Sequence, residues 1–116
     1  MGTRCDLYLE EEHDVFIGVQ CFYEGYPEHM LKELQYCTRS MLREYIIVAG
    51  SRGGLRLFSP SKGQTEFVGG TTCYIYSPHS KKNDADYTYV VTEDSKIIWK
   101  ARADTAWTIE WHRKQQ

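Results

Sequence analysis

The sequence predicts an α+β fold: an antiparallel sheet, made of an N-terminal hairpin and a C-terminal meander, with one or two helices packed on one face. Apolar and polar residues alternate near both ends of the chain, which is typical of half-buried strands. Between about residues 27 and 50 the apolar residues recur at helical spacing. With 116 residues the chain has the length for one core, so residues 1–116 are predicted to form a single domain.

Two alternating runs predict a hairpin at the start of the chain. Cys5, Leu7 and Leu9 share one face of the first run, and residues 15–21 alternate again in the second run. The polar stretch between them, residues 10–14, is expected to form a solvated turn. Two period-two runs around a short charged connection are the pattern of an antiparallel pair.

Two helices are predicted after the hairpin. Pro27 suits a first helical position, because its missing N–H would have no partner there, and the apolar spacing continues to about Tyr36. Thr38 is a suitable N-cap for a second helix, which Gly50 is expected to end. Residues 45–48 are rich in β-branched side chains, so a buried strand is the alternative there, but the apolar spacing favours a helix.

The second half of the chain predicts short strands joined by polar loops. Residues 51–70 are expected to form a basic turn and then a long ordered loop that can hold short helical or strand pieces. Four alternating runs follow, at residues 71–76, 87–92, 96–102 and 107–112. Successive runs of this kind predict a meander of antiparallel strands.

Composition and cysteine spacing exclude several classes of function. Because 14 Lys and Arg face 16 Asp and Glu, the charge balance argues against binding nucleic acid by phosphate neutralisation. No apolar run has the length of a membrane span, so we expect no membrane partner. The cysteines form no close pairs, and we expect buried reduced thiols in a cytoplasmic protein rather than disulfides or zinc ligands. They are Cys5, Cys21, Cys37 and Cys73.

The junction between the hairpin and the first helix is the most informative segment. Residues 22–28 hold three aromatic rings, two carboxylates, a glycine and a proline, and junctions held by rigid elements often carry binding side chains. Arginines that follow can bind anionic groups, and the glycine pair at residues 53–54 can form a concave backbone nest. The candidate binding residues are Tyr23, Glu24, Tyr26, Glu28, Arg39, Arg43, Arg52 and Arg56.

These residues also have structural explanations. Glu28 is favoured in a first helical turn by the helix dipole, and the glycine pair can simply end a helix. Paired carboxylates can serve acid–base chemistry, and the candidates for a small hydrolase or nuclease are Glu24, Glu28, His79 and Asp84. No nucleophile–base pair accompanies them, so we predict no catalytic residue, no metal and no cofactor.

The chain resembles a family of small, largely uncharacterised proteins of phages and some bacteria. The opening residues 1–4 are similar to the family's Met-x-Thr-Arg, and residues 24–28 are similar to its Asp-Gly-Tyr-Pro-Glu, with Glu24 in place of Asp. Further similar residues follow in the same order: Gly53-Gly54-Leu55 with Phe58, Glu66-Phe67, and His79 before residues 84–89, where Asp86 replaces Glu. The resemblance implies a small phage-type cytoplasmic protein and brings no established activity.

These observations predict a non-enzymatic binding protein that acts in the cytoplasm of a bacterial host. It would block a host protein, above all a defence protein, by stoichiometric occupation of its surface. The alternative is that the same tyrosines and arginines form a pocket that sequesters a nucleotide-like signalling molecule. The aromatic pairs of the later strands are expected to line the core face of the sheet, and a pair on the uncovered face would instead mark a partner; they are Tyr74/Tyr76, Tyr87/Tyr89 and Trp107/Trp111. A homodimer is also expected, because small domains gain from oligomerisation.

Overall fold

The computed structural model describes residues 3–13, 15–21, 25–52, 56–59, 64–67, 74–75 and 85–111, with the side chains of residues 3–13, 15–21, 25–49 and 85–110. The chain order begins with β1 (Cys5–Glu12), β2 (Val15–Cys21), α1 (Pro27–Tyr36) and α2 (Arg39–Arg52). It continues with β3 (Arg56–Ser59), β4 (Gln64–Phe67), β5 (Tyr74–Ile75), β6 (Tyr87–Val91), β7 (Lys96–Ala101) and β8 (Thr108–Trp111). The predicted α+β class is confirmed.

Six of the strands form one sheet in the order β5-β2-β1-β6-β7-β8, and β3 pairs with β4 in a second, two-stranded sheet. Neighbours are antiparallel except for β1 and β6, which are parallel. Parallel neighbours need a long crossover, and both helices lie in the chain between these two strands. The predicted hairpin and the C-terminal run β6-β7-β8 are present. The expectation that the strand around residue 75 opens this meander was wrong, because β5 pairs with β2.

Both helices pack on one face of the large sheet. The register places every second residue of β1 beside alternate residues of β2 and β6, so their side chains form one apolar surface. The buried core joins these side chains to both helices. Its main members are Cys5, Leu7, Leu9, Val19, Cys21, Met30, Leu34, Leu42, Ile46, Ala49, Tyr89, Val91 and Ile97. Cys5, Cys21 and Cys37 are buried thiols, while Cys73 lies outside the described residues.

Local signals placed the helices well. Pro27 occupies the first turn of α1, and Thr38 Oγ1 accepts the Met41 N–H at 3.1 Å, as expected of an N-cap. Residues 45–48 are helical, so the strand alternative was wrong. The helix does not end at Gly50 but continues to Arg52. Within the described residues, neither helix is long and apolar enough to cross a membrane.

The main error of the sequence prediction concerns the glutamate tract, residues 10–12, which was expected to form a turn. Glu10, Glu11 and Glu12 belong to β1, and the turn begins at His13. Long-range contacts hold these residues in the strand. Glu10 Oε1 accepts the Glu93 N–H at 2.8 Å, and Glu11 pairs with an arginine of α2. Both contacts come from segments distant in sequence, so the tract itself gives no sign of them.

Candidate functional site

The turn before α1 is tied to the first residues of β1. Gly25 N–H donates to Thr3 O at 2.9 Å, and Tyr89 O–H donates to Gly25 O at 2.5 Å. A Cβ atom at position 25 would lie 2.7 Å from Cys5 Cβ, so glycine is required by the close approach of the two segments. This packing fixes the backbone at the point where the chain enters α1.

Tyr26 and Glu28, which we call the tyrosine surface, project from this fixed turn. Tyr26 O accepts the N–H groups of His29 at 3.1 Å and Met30 at 3.0 Å, which starts the helix. The Tyr26 residue is 38% exposed, and its ring lies 5.9 Å from the His29 ring, centroid to centroid. Glu28 is exposed in the first turn, where the helix dipole favours a negative charge.

The start of β6 also meets the start of β1 at this end of the sheet. Arg4 N–H donates to Asp86 Oδ2 at 2.9 Å, and Tyr87 N–H donates to Arg4 O at 3.2 Å. These bonds join the beginning of β1 to the beginning of β6, beside the Gly25 turn. The opening segment, the glycine–tyrosine turn and the segment around Asp86 therefore form one cluster.

Arg39 occupies the opposite end of β1. Its Nη1 donates to Thr92 O at 2.5 Å, and its Nη2 donates to Glu10 O at 2.5 Å and to Glu11 O at 3.4 Å. The guanidinium thus bridges the carboxyl ends of the parallel strands β1 and β6. Because those carbonyl groups need donors, the side chain holds the two strand ends together.

A pocket of about 220 Å³ opens beside this guanidinium. Arg43, one turn further along α2, donates from Nε to Glu11 Oε1. The side chain of Arg43 is 55% exposed and that of Glu11 is 28% exposed. The lining residues, which we call the arginine pocket, are Leu9, Glu11, Arg39, Ser40 and Arg43.

The structure separates the predicted site into two places. Gly25, next to Tyr26, contacts Thr3 before β1, whereas Arg39 contacts Glu10 and Glu11 at the end of β1. A strand rises about 3.3 Å per residue, so the eight residues of β1 put roughly 25 Å between the two ends. The tyrosine surface and the arginine pocket do not form one cavity.

The remaining candidates are only partly described. Tyr23 and Glu24 lie outside the described residues. Arg52 is the last residue of α2 and Arg56 the first of β3, and the description there covers the backbone alone. Leu9, Glu11 and Ser40 line the arginine pocket without having been predicted. Glu11 and Arg43 are 32 positions apart, so no local pattern links them.

One aromatic stripe belongs to the core. Tyr87, Tyr89 and Trp99 lie on the helix-covered face, with ring centroids 6.2–6.4 Å apart. Burial raises the pKa of Tyr89 well above its usual value. This stripe is therefore not a surface for a second copy of the chain. The large apolar side chains exposed in the described part are Val15, Tyr26, Ile47, Val48 and Ile109.

The metal-ligating and hydrolase candidates are covered only in part by the described residues. No group of three His, Cys, Asp or Glu side chains there is placed to hold a metal ion. Of the four hydrolase candidates, only Glu28 is described, and Glu24, His79 and Asp84 lie outside that part of the chain. Comparison with protein-family models, with curated proteins and with solved structures gives no match.

Proposed function

We propose that the protein is a non-catalytic binding protein that blocks a partner protein by covering its functional surface. Tyr26 carries this proposal: it is an exposed aromatic side chain on a backbone that is fixed before any partner arrives. Four hydrogen bonds hold the turn, two at Gly25 and two at the carbonyl of Tyr26. A rigid tyrosine loses little conformational freedom on binding, and tyrosine is enriched among interface hot spots.

Glu28 supports the same surface. It is exposed beside Tyr26 in the first turn of α1, where its carboxylate can meet a basic group of the partner. Charged groups at an interface rim contribute chiefly to partner choice and to association rate. A partner surface with an apolar pocket next to a Lys or Arg therefore fits this site best.

The setting of the proposal is phage infection. The resemblance to small phage-type proteins favours a host protein as the partner, a defence protein above all, and the host cytoplasm as the location. Among the described residues, Arg4, Gly25 and Asp86 belong to the segments that carry the resemblance and meet beside the tyrosine surface, which supports this surface as the working one. A stoichiometric blocker needs one rigid contact area and no catalytic group.

The test is retention of a host protein by the full chain purified from a bacterial lysate, measured by native mass spectrometry. We expect Tyr26→Ala to lose the retained protein, because truncating a hot-spot residue costs about 2 kcal/mol or more, roughly 30-fold in affinity. Val48→Ala, which shortens an exposed apolar side chain on α2, is the matched control and should retain the partner. Retention by Tyr26→Ala, with an unchanged circular dichroism spectrum, would show that the surface is wrongly assigned.

The geometry of the described residues bears on one of the two other predicted functions. Sequestration of a nucleotide-like signal was expected to use rings and arginines in one cavity, but Tyr26 and Arg39 lie at opposite ends of β1. For a small hydrolase or nuclease, the candidates Glu24, His79 and Asp84 lie outside the described residues, so the structure does not bear on that function. The same mass spectrum separates these functions, since a small mass lost on denaturation would favour sequestration over blocking.

A further inference from the structure

The arginine pocket carries more positive than negative charge. Arg39 contacts backbone carbonyl oxygens and no carboxylate oxygen among the described residues. Glu11 pairs with Arg43 through Nε alone. The lining of the pocket therefore holds two guanidinium groups and one carboxylate.

The free donors of the pocket point to an anionic ligand. Arg43 uses only Nε within the described part of the chain, which leaves both of its terminal nitrogens able to donate, and its side chain is more than half exposed. A guanidinium matches the oxygens of a phosphate or carboxylate with two parallel hydrogen bonds. Arg43 can thus reach a ligand without any change in α2.

The N-terminus of α2 adds to the positive electrostatic potential in the arginine pocket. The helix begins at Arg39 and has no acidic residue in its first turn, so its positive dipole end is not offset by a side chain of that turn. Ser40 brings a hydroxyl group to the pocket wall. The pocket also lies at the carboxyl ends of the neighbouring strands β1 and β6, which Arg39 bridges.

We propose that the arginine pocket binds the phosphate group of a small molecule, either free phosphate or a phosphate monoester. The pairing of Glu11 with Arg43 favours a phosphate over a carboxylate as the ligand of the pocket. It already offers Arg43 a carboxylate from within the chain, at a high effective concentration, so a second carboxylate has little advantage. A phosphate monoester carries a charge of about −1.5 to −2 and three acceptor oxygens, and it competes better for the same arginine.

The size of the pocket agrees with a single small group. Pockets for drug-sized ligands span about 300–1,000 Å³, whereas this one holds about 220 Å³. The site does not depend on the proposed blocking function, because the tyrosine surface lies at the other end of β1. A negative result in the test of one site therefore leaves the proposal for the other site unaffected.

The test is calorimetric titration of the full chain with inorganic phosphate, with ribose 5-phosphate and with ribose. We expect saturable binding of both phosphates and none of ribose. Tighter binding of ribose 5-phosphate identifies a monoester as the ligand, and tighter binding of inorganic phosphate identifies the free ion. The absence of saturable phosphate binding, or equal binding of ribose, would overturn the proposal.

Two variants tie this binding to the pocket. Arg43→Gln should weaken phosphate binding about 10- to 100-fold, the range expected for loss of a charge-assisted hydrogen bond. Glu11→Gln should strengthen it, because the competing carboxylate is removed. Arg102→Gln and Glu12→Gln make the same charge changes at exposed positions outside the pocket lining. If these controls shift the phosphate affinity as much as the pocket variants do, phosphate does not bind in the arginine pocket. If Arg43→Gln does not fold, the effect of Glu11→Gln on the phosphate affinity serves as the test.

Discussion

Two single residues fix the backbone that carries the tyrosine surface. Glycine is the only residue type that fits at position 25, because a Cβ atom there would lie 2.7 Å from Cys5 Cβ. Tyr89 reaches from β6 and donates its hydroxyl to Gly25 O. Glycine is required at position 25 because there is no space for a side chain. Sequence alone could not show the second segment that approaches it.

Tyr89→Phe should destabilise the protein although the change removes only one oxygen atom. The substitution leaves Gly25 O buried without this donor, and an unsatisfied buried acceptor costs about 1–3 kcal/mol. Urea unfolding followed by tryptophan fluorescence measures the loss. Tyr87→Phe is the matched control, since Tyr87 is a half-buried neighbour on the same face and its hydroxyl makes no hydrogen bond among the described residues. Equal losses in the two variants would show that the Gly25 contact contributes nothing.

At the scale of elements, the sequence correctly predicted the helix starts, because local contacts determine them. Pro27 begins α1 and Thr38 caps α2 because each acts on backbone groups within four residues of itself. The end of β1 and the partner of β5 were missed, because long-range contacts decide them. Glu10 accepts a hydrogen bond from Glu93, 83 positions away. Such a contact has no signature in the glutamate tract.

The N-cap of α2 gives a prediction at this scale. Thr38→Ala removes the acceptor for the Met41 N–H and should lower the free energy of unfolding by about 1 kcal/mol, within a usual range of roughly 0.5–2 kcal/mol. Thr38→Ser keeps the hydroxyl and should retain most of the stability. Thr105→Ala, at an exposed position, should change it by less than about 0.5 kcal/mol. Urea unfolding of the three variants is the measurement, and a loss in Thr38→Ser as large as in Thr38→Ala would contradict a capping role.

At the scale of the whole molecule, topology separates residues that the sequence places close together. Tyr26 and Arg39 are 13 positions apart in the chain, but α1 runs between them from one end of β1 to the other. The described members of the single predicted site therefore lie in two separate places. Only the pairing of the turn with Thr3 and of Arg39 with Glu10 reveals this, and neither pairing has a local signal.

Two buried groups of the core, the Cys5 thiol and the Tyr89 phenol, make the stability of the whole molecule sensitive to alkaline pH. A hydrogen bond with Cys21, and then burial, raises the pKa of Cys5 above its usual value of 9.0. Burial does the same for Tyr89, whose usual value is 10.0. Both groups are neutral when protonated, so the folded state keeps protons that the unfolded chain releases. Their stabilising contribution is complete below pH 9.0 and is lost as the pH rises above the usual values.

We therefore expect the free energy of unfolding to fall above about pH 9, by up to about 1.4 kcal/mol per pH unit for each group. Urea unfolding at a series of pH values from neutral to alkaline measures this slope. Tyr89→Phe should have a shallower slope above the usual tyrosine pKa of 10.0, since phenylalanine releases no proton. Thr105→Ala, at an exposed position, is the control, and its slope should match that of the unsubstituted protein. A slope in Tyr89→Phe that equals that of the unsubstituted protein would mean that another group drives the alkaline loss, because one buried phenol contributes one proton to the difference between the two states.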